Sequence, residues 1–192
     1  MNRIIFATNN RHKLEEVAAF LGDTWELVTP KECGVMEDIP EEQPTIEGNA
    51  MQKAEYLYQK TGRDCFADDT ALEVEALGGE PGVYSARYAS LKCDSEENMA
   101  KLLHKLGDNT NRKACFRTVI ALIIDGKKHL FEGRVDGEII SDRAGEKGFG
   151  YDPIFRPTGY TTTFAQMSIE EKNKISHRAR AVTKLVDFLK NI

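Results

Sequence analysis

An α/β fold, with a mixed central sheet flanked by helices, is what this sequence predicts, on three observations. First, an apolar run at residues 4–7 passes through a polar loop into a helical pattern, the strand-loop-helix order of α/β proteins. Second, the strongest strand signal, residues 117–124, meets Asp125-Gly126 and then a second strand at 127–135, an antiparallel hairpin that makes the sheet mixed. Third, strand and helix patterns interleave to the C-terminus with no repeat, linker or break in composition, so one continuous domain over residues 1–192 is expected.

Each element has its own local cause. Ile4, Ile5, Phe6 and Ala7 form a buried strand. Leu14, Val17, Ala18 and Leu21 share one helical face, which Gly22-Asp23 closes. A loop with Pro40 and Pro44 carries Glu41-Glu42. A helix over 45–60 turns Ile46, Ala50, Ala54 and Leu57 inward, and Gly62 follows its end. Residues 65–67 form a short strand that stops at Asp68. Leu72 and Val74 alternate with Glu73 and Glu75 in a half-buried strand, and residues 78–82 make a firm turn. Ser95 caps a helix with Met99, Leu102, Leu103 and Leu106 inward. Asp136-Gly137 marks a turn before residues 138–140. Ser168 with Glu171 spells a capping box, and Val182, Leu185 and Leu189 define a last amphipathic helix.

Composition narrows the class. A hydrophobic share of 41% and a charged share of 30% describe a soluble globular chain. A net charge of −5 argues against a general nucleic-acid binder. The four cysteines form no C-x-x-C pair, so neither zinc nor a disulfide framework is expected, and a reduced, cytoplasmic setting is the simpler reading. The apolar run at 4–7 is too short for a signal peptide, and no stretch approaches the ~20 apolar residues of a membrane span.

Several segments can carry chemistry. In Thr8-Asn9-Asn10-Arg11-His12-Lys13, a polar loop meets a helix N-terminus, where backbone N–H groups favour an anion and Lys13 adds a full charge. It is not a Walker A loop, because it lacks glycine. In Ala67-Asp68-Asp69-Thr70, two adjacent carboxylates repel unless a cation offsets them. Mg²⁺ suits, since it takes one or two carboxylates with water and phosphate oxygens, and Glu41 can supply another oxygen. If the strand persists, Asp68 and Asp69 point to opposite faces and have different roles. In Gly148-Phe149-Gly150-Tyr151-Asp152-Pro153, Pro153 holds Asp152 extended, and a rigid non-helical loop offers an apolar face beside a hydrogen-bonding acid, as a nucleobase requires. Lys172 and His177 would lie about 140° apart on one continuous helix, so a break is expected near Ile175-Ser176. That break puts His177 and Arg178 in the first turn of the final helix. Capping residues, solvated charges and core aromatics account for each segment taken singly. Arg87 reads as structural.

Taken in order, Thr8-Asn9-x-x-x-Lys13, Glu41, Glu47-Gly48-Asn49-Ala50, Ala67-Asp68-Asp69-Thr70, Gly79-x-Pro81-Gly82-Val83-Tyr84-Ser85-Ala86-Arg87-Tyr88, Gly148 to Phe155 and Glu171-Lys172-x-x-Ile175-Ser176-His177-Arg178 resemble the inosine/xanthosine triphosphate pyrophosphatase family. The resemblance runs from the first strand to the last helix. It implies an elongated fold of two lobes with a cleft between them, usually as a homodimer. It implies Mg²⁺-dependent hydrolysis of ITP, dITP and XTP to the monophosphate and pyrophosphate. Carried over, residues 8–13 (Thr8, Asn9, Asn10, Arg11, His12, Lys13) hold the triphosphate with Lys172 assisting. Asp69 is proton acceptor and metal ligand, Glu41 a second metal ligand, and Thr70 contacts substrate. Phe149, Gly150, Tyr151 and Asp152, with His177 and Arg178, form the base pocket. Ala71 and Asn9 stand where many relatives have glycine. The alternatives are a related pyrophosphatase for modified or pyrimidine nucleotides and a non-catalytic nucleotide sensor. Arg178, donor-only, would donate to a 6-oxo group and refuse an amino group.

Overall fold

The structure is a computed structural model that describes residues 2–192; Met1 lies outside the described residues. Its elements are β1 (Asn2–Phe6), α1 (Arg11–Leu21), β2 (Trp25–Val28), α2 (Ile46–Thr61), β3 (Cys65–Val74), β4 (Pro81–Gly82), α3 (Ser95–Leu106), β5 (Lys113–Ile124), β6 (Lys127–Ile139), β7 (Phe155–Pro157), α4 (Ile169–Asn173) and α5 (His177–Lys190). Seven strands form one sheet in the order β2-β1-β3-β5-β6-β7, with β4 beside β3. β1 runs parallel to β2 and β3, whereas β4 and β7 pair antiparallel with β3 and β6, so the sheet is mixed as predicted.

The chain divides into two compact units, each assembled from separated segments. The first comprises the chain up to Asp69, then Thr118–Gly133 and Arg178–Ile192. Its core joins Ile4 and Phe6 of β1, Val17 and Leu21 of α1, Ile120 and Leu122 of β5, and Val182, Leu185 and Leu189 of α5. Phe6 stacks on Phe66, with ring centroids 4.5 Å apart. The second comprises Thr70–Arg117 and Arg134–His177. Its core gathers Leu72, Met99, Leu102, Phe116, Phe155 and Phe164 around Tyr151 and Ile154.

Four local expectations are revised. The strand beginning at Cys65 does not stop at the aspartates; β3 continues through them to Val74. Likewise Asp136-Gly137 is no turn, because β6 runs on to Ile139. Gly137 pairs with Pro157 of β7, and a side chain there would run into the carbonyl oxygen of Arg156 and the ring of Phe155. Glycine therefore serves close strand approach rather than a bend. Asp94, not Ser95, caps α3, accepting from the backbone N–H groups of Glu96 and Glu97. Asp152 is not extended but opens a 3₁₀ turn, with Pro153 in its first positions, where a missing N–H does no harm. Strand β2 carries no strong pattern and is absent from the sequence reading.

The capping box matches, and α2 begins one residue later than expected. Thr45 caps α2, and the Ser168–Glu171 capping box opens α4. The helix ends before Ile175, and α5 begins at His177, as the separation of Lys172 and His177 demanded. Among the described residues, no helix is long and apolar enough to cross a membrane.

Gly137→Val is expected to destabilise by about 1–3 kcal/mol, the usual range for forcing a group into packed structure. Urea unfolding measures it. An unchanged midpoint would show that β7 does not approach β6 as described.

Candidate active site

The first unit concentrates charge around the two mid-strand aspartates. Because successive strand residues face opposite ways, Asp68 and Asp69 meet different surroundings. Asp68 is 1% exposed. Its Oδ1 accepts from Lys13 Nζ of α1 at 3.1 Å, and its Oδ2 from Arg178 Nε of α5 at 3.3 Å. Arg178 also donates through Nη1 to Glu16 of α1. Lys53 of α2 donates from Nζ to Glu41 Oε1 at 2.5 Å and to the backbone carbonyl of Asp68 at 2.5 Å. Three cations and two further carboxylates therefore converge on one strand position.

Burial opposes ionisation of Asp68, yet Lys13, Arg178 and Lys53 outweigh it and hold the carboxyl far below the usual range. Asp69 goes the other way. Burial raises its carboxyl, Lys53 pulls it down, and the charge of Glu41 pushes it up again, leaving it above the ordinary value. A carboxyl raised in this way makes a better proton acceptor than a free aspartate. Asp68 gives one oxygen to each of two cations and so anchors both. Burial also depresses the Lys13 ammonium, against the attraction of Asp68.

Within the predicted anion loop, the side chains divide their work. Thr8 Oγ1 accepts from Asn10 N, and Asn10 Oδ1 accepts from the backbone N–H groups of His12 and Lys13. Asn10 is thus the N-cap of α1, and the helix starts earlier than expected, at Arg11. Asn9, Arg11 and His12 are exposed, and Arg11 pairs with Glu15. Asn9 stays outside the left-handed region, so its standing in a glycine position costs no strain.

The second unit builds a different group. Asp152 Oδ2 accepts from Lys172 Nζ at 2.7 Å and from the backbone N–H of Phe149 at 3.2 Å. Gly148 has a φ of +72°, and a side chain there would strike the Asp152 carboxylate, so glycine is required on both counts. The Lys172 ammonium lies 4.8 Å from the centroid of the Phe149 ring and 5.6 Å from that of Phe164. His177 stacks on Phe116, at 4.6 Å and 16° between planes. Tyr151 belongs to the core, its hydroxyl donating to the carbonyl of Ser85 at 2.7 Å.

Phe149, Asp152, Lys172 and His177 thus come together with Phe116 and Phe164, while Lys13, Glu41 and Asp69 come together with Lys53 and Asp68. Lys172 meets Asp152 and the Phe149 ring of the aromatic loop. Arg178 is 2% exposed and gives its guanidinium to Asp68 and Glu16. Gly150 follows Phe149 with a φ of +61°, and Thr70 follows Asp69 on β3. Sequence reasoning missed Lys53, Glu16, Phe116 and Phe164. The first two carried a signal: each interrupts a helical face otherwise buried with Ala50, Ala54 and Leu57, or with Val17 and Leu21. A charge on an apolar face needs a partner.

The cysteines are unpaired, and burial pushes the Cys65 thiol up to about 12 and that of Cys115 to about 11, so neither is a reactive nucleophile.

Residues 4–188 match the model of the Ham1 family. The dITP/XTP pyrophosphatase of Flavobacterium psychrophilum is 53% identical over 98% of this chain and 100% of its own. That of Porphyromonas gingivalis is 54% identical over 98% of each. Among solved structures, the Staphylococcus aureus Ham1 protein superposes with a TM-score of 0.90 at 40% identity, covering 99% of each chain. A HAM1 protein from Coxiella burnetii gives 0.92 at 36% identity over 100% of each.

Asp68→Asn is expected to cost about 3–5 kcal/mol at neutral pH, because Lys13 and Arg178 lose their shared buried carboxylate. The folded-state value of Asp68 lies below its ordinary 3.8. Its contribution is therefore complete above that ordinary value and is lost as pH falls through the folded one. The stability gap between wild type and variant, from urea unfolding across pH, should narrow in acid; a constant gap contradicts this assignment.

Proposed function

The chain belongs to the Ham1 family, and from that premise we propose that it hydrolyses ITP, dITP and XTP to the monophosphate and pyrophosphate. The observation that carries this reading is a buried carboxylate bound by Lys13 and Arg178, Asp68, followed on the same strand by a second carboxylate, Asp69. The curated relatives named above as dITP/XTP pyrophosphatases support the choice of substrate.

A triphosphate carries about four negative charges near neutral pH, and these must be offset before a water molecule attacks phosphorus. Lys13 supplies a positioned ammonium, held at Asp68. Its pre-set place means that little reorganisation accompanies the reaction. Asp69 orients a water against the α-phosphorus and takes its proton; the P–O bond to the β-phosphate breaks and pyrophosphate leaves. Lys53 fixes Glu41 beside this acid.

The donor set fits Mg²⁺. Glu41 and Asp69 offer two carboxylates, and the other positions suit water and phosphate oxygens. Among the described residues, no cluster of three or more His, Cys, Asp or Glu can hold a metal. When bound, Mg²⁺ supplies charge neutralisation and acidifies coordinated water.

For the base, Phe149 offers a flat apolar face and Lys172 a donor-only ammonium locked to Asp152. A 6-oxo group accepts from such a donor, whereas the 6-amino group of adenine leaves it unsatisfied. Lys172 takes here the discriminating role first expected of Arg178. A cytoplasmic homodimer is part of the same proposal.

Pyrophosphate, not orthophosphate, is the expected product when dITP is treated with the protein and Mg²⁺, with dATP and dCTP turned over far more slowly. EDTA should abolish release. Asp69→Asn should lower kcat at least about 100-fold while nucleotide binding persists. Orthophosphate as the product, or near-normal turnover by the variant, would reject the reading.

A further inference from the structure

One buried charge has no task in the mechanism above. Glu16 is 5% exposed, on a helical face shared with Val17 and Leu21, and a carboxylate there is costly unless it is paired. It lies one turn beyond Lys13 on α1, and residues three apart share a helix face. From Lys13 the ionic contacts run to Asp68 Oδ1, from Asp68 Oδ2 to Arg178 Nε, and from Arg178 Nη1 back to Glu16. Four alternating charges thus begin and end on the same helix, tying α1, β3 and α5 together. Asp68 and Arg178 in this chain are 1% and 2% exposed, so water screens it little.

We propose that Glu16 is a positioning residue for Lys13, acting through Arg178 and Asp68. With Glu16 in place, each cation of the chain has its own share of negative charge, and Asp68 can give one oxygen to each neighbour. Without it, Asp68 is left to serve two cations. Arg178 keeps its proton under all conditions and offers a fixed fork of donors, so it competes for both oxygens of Asp68. Lys13 sits on a flexible stem and loses its anchor first. The ammonium is then no longer preset for the triphosphate. This rests on the reading of Lys13 as the triphosphate cation.

A double-mutant cycle tests it, with Glu16→Gln, Lys13→Met and the double variant, read by pyrophosphate release from dITP with Mg²⁺ and by thermal unfolding. Glu16→Gln alone should lower kcat/KM about tenfold, and should cost almost nothing further in the Lys13→Met background. The melting temperature should fall in both backgrounds. Glu16→Asp should restore part of the activity. An equal loss of kcat/KM in both backgrounds makes Glu16 merely structural and overturns the proposal, as does unchanged activity in Glu16→Gln. Should Glu16→Gln fail to fold, Glu16→Asp takes its place in the cycle, with a smaller loss expected and the same two outcomes. If the wild-type protein releases pyrophosphate from no nucleotide, the functional reading itself fails; if it does so while the variants behave additively, only the role of Glu16 fails.

Discussion

Asp68 is a carboxylate buried in the middle of a strand, and its ionised state is tolerable only because cations surround it. Lys13 and Arg178 reach its oxygens, and Lys53 reaches its backbone carbonyl. Each cation comes from a different helix, so satisfying one charge fixes the placement of α1, α2 and α5 against β3. The desolvation cost of such a group is several kcal/mol, and good geometry at every partner is needed to offset it. The helices consequently have little freedom to shift. Asp69 inherits its position from this arrangement, because it is the next residue on the same strand.

The second unit repeats the device at smaller scale. Asp152 is claimed by Lys172 and by the backbone of Phe149, and Gly148 leaves the space that this contact needs. The ammonium is thereby held over aromatic rings, where the ring quadrupole also favours it. In both units a carboxylate sets where a lysine stands, and the lysine is the group suited to meet a ligand.

Much of this could be read from the chain. The apolar faces of α2 and α5, the capping box at Ser168, the helix break before His177 and the mixed sheet follow from periodicity and cap chemistry, which act over a few residues. The paired aspartates, Lys13 and the aromatic loop were legible as chemistry, because few residue types suit anion or base recognition. Errors clustered where a local signal met a long-range one. Asp68-Asp69 reads as a strand end, since two charges seldom sit mid-strand, yet cations from three helices make the continuation possible. Asp136-Gly137 reads as a turn, yet β7 lies so close that only glycine fits.

By itself, then, the sequence determined the element types, most of their ends and the inventory of reactive groups, since these depend on neighbours within one or two turns. Tertiary structure alone decided which acid serves which cation. Arg178 went to Asp68 and Glu16, Lys172 to Asp152, and Lys53 to Glu41, over separations of 110, 162, 20 and 12 residues. Charge attraction carries no address along the chain; burial of the surrounding apolar faces chooses the partners, and only the folded packing supplies that.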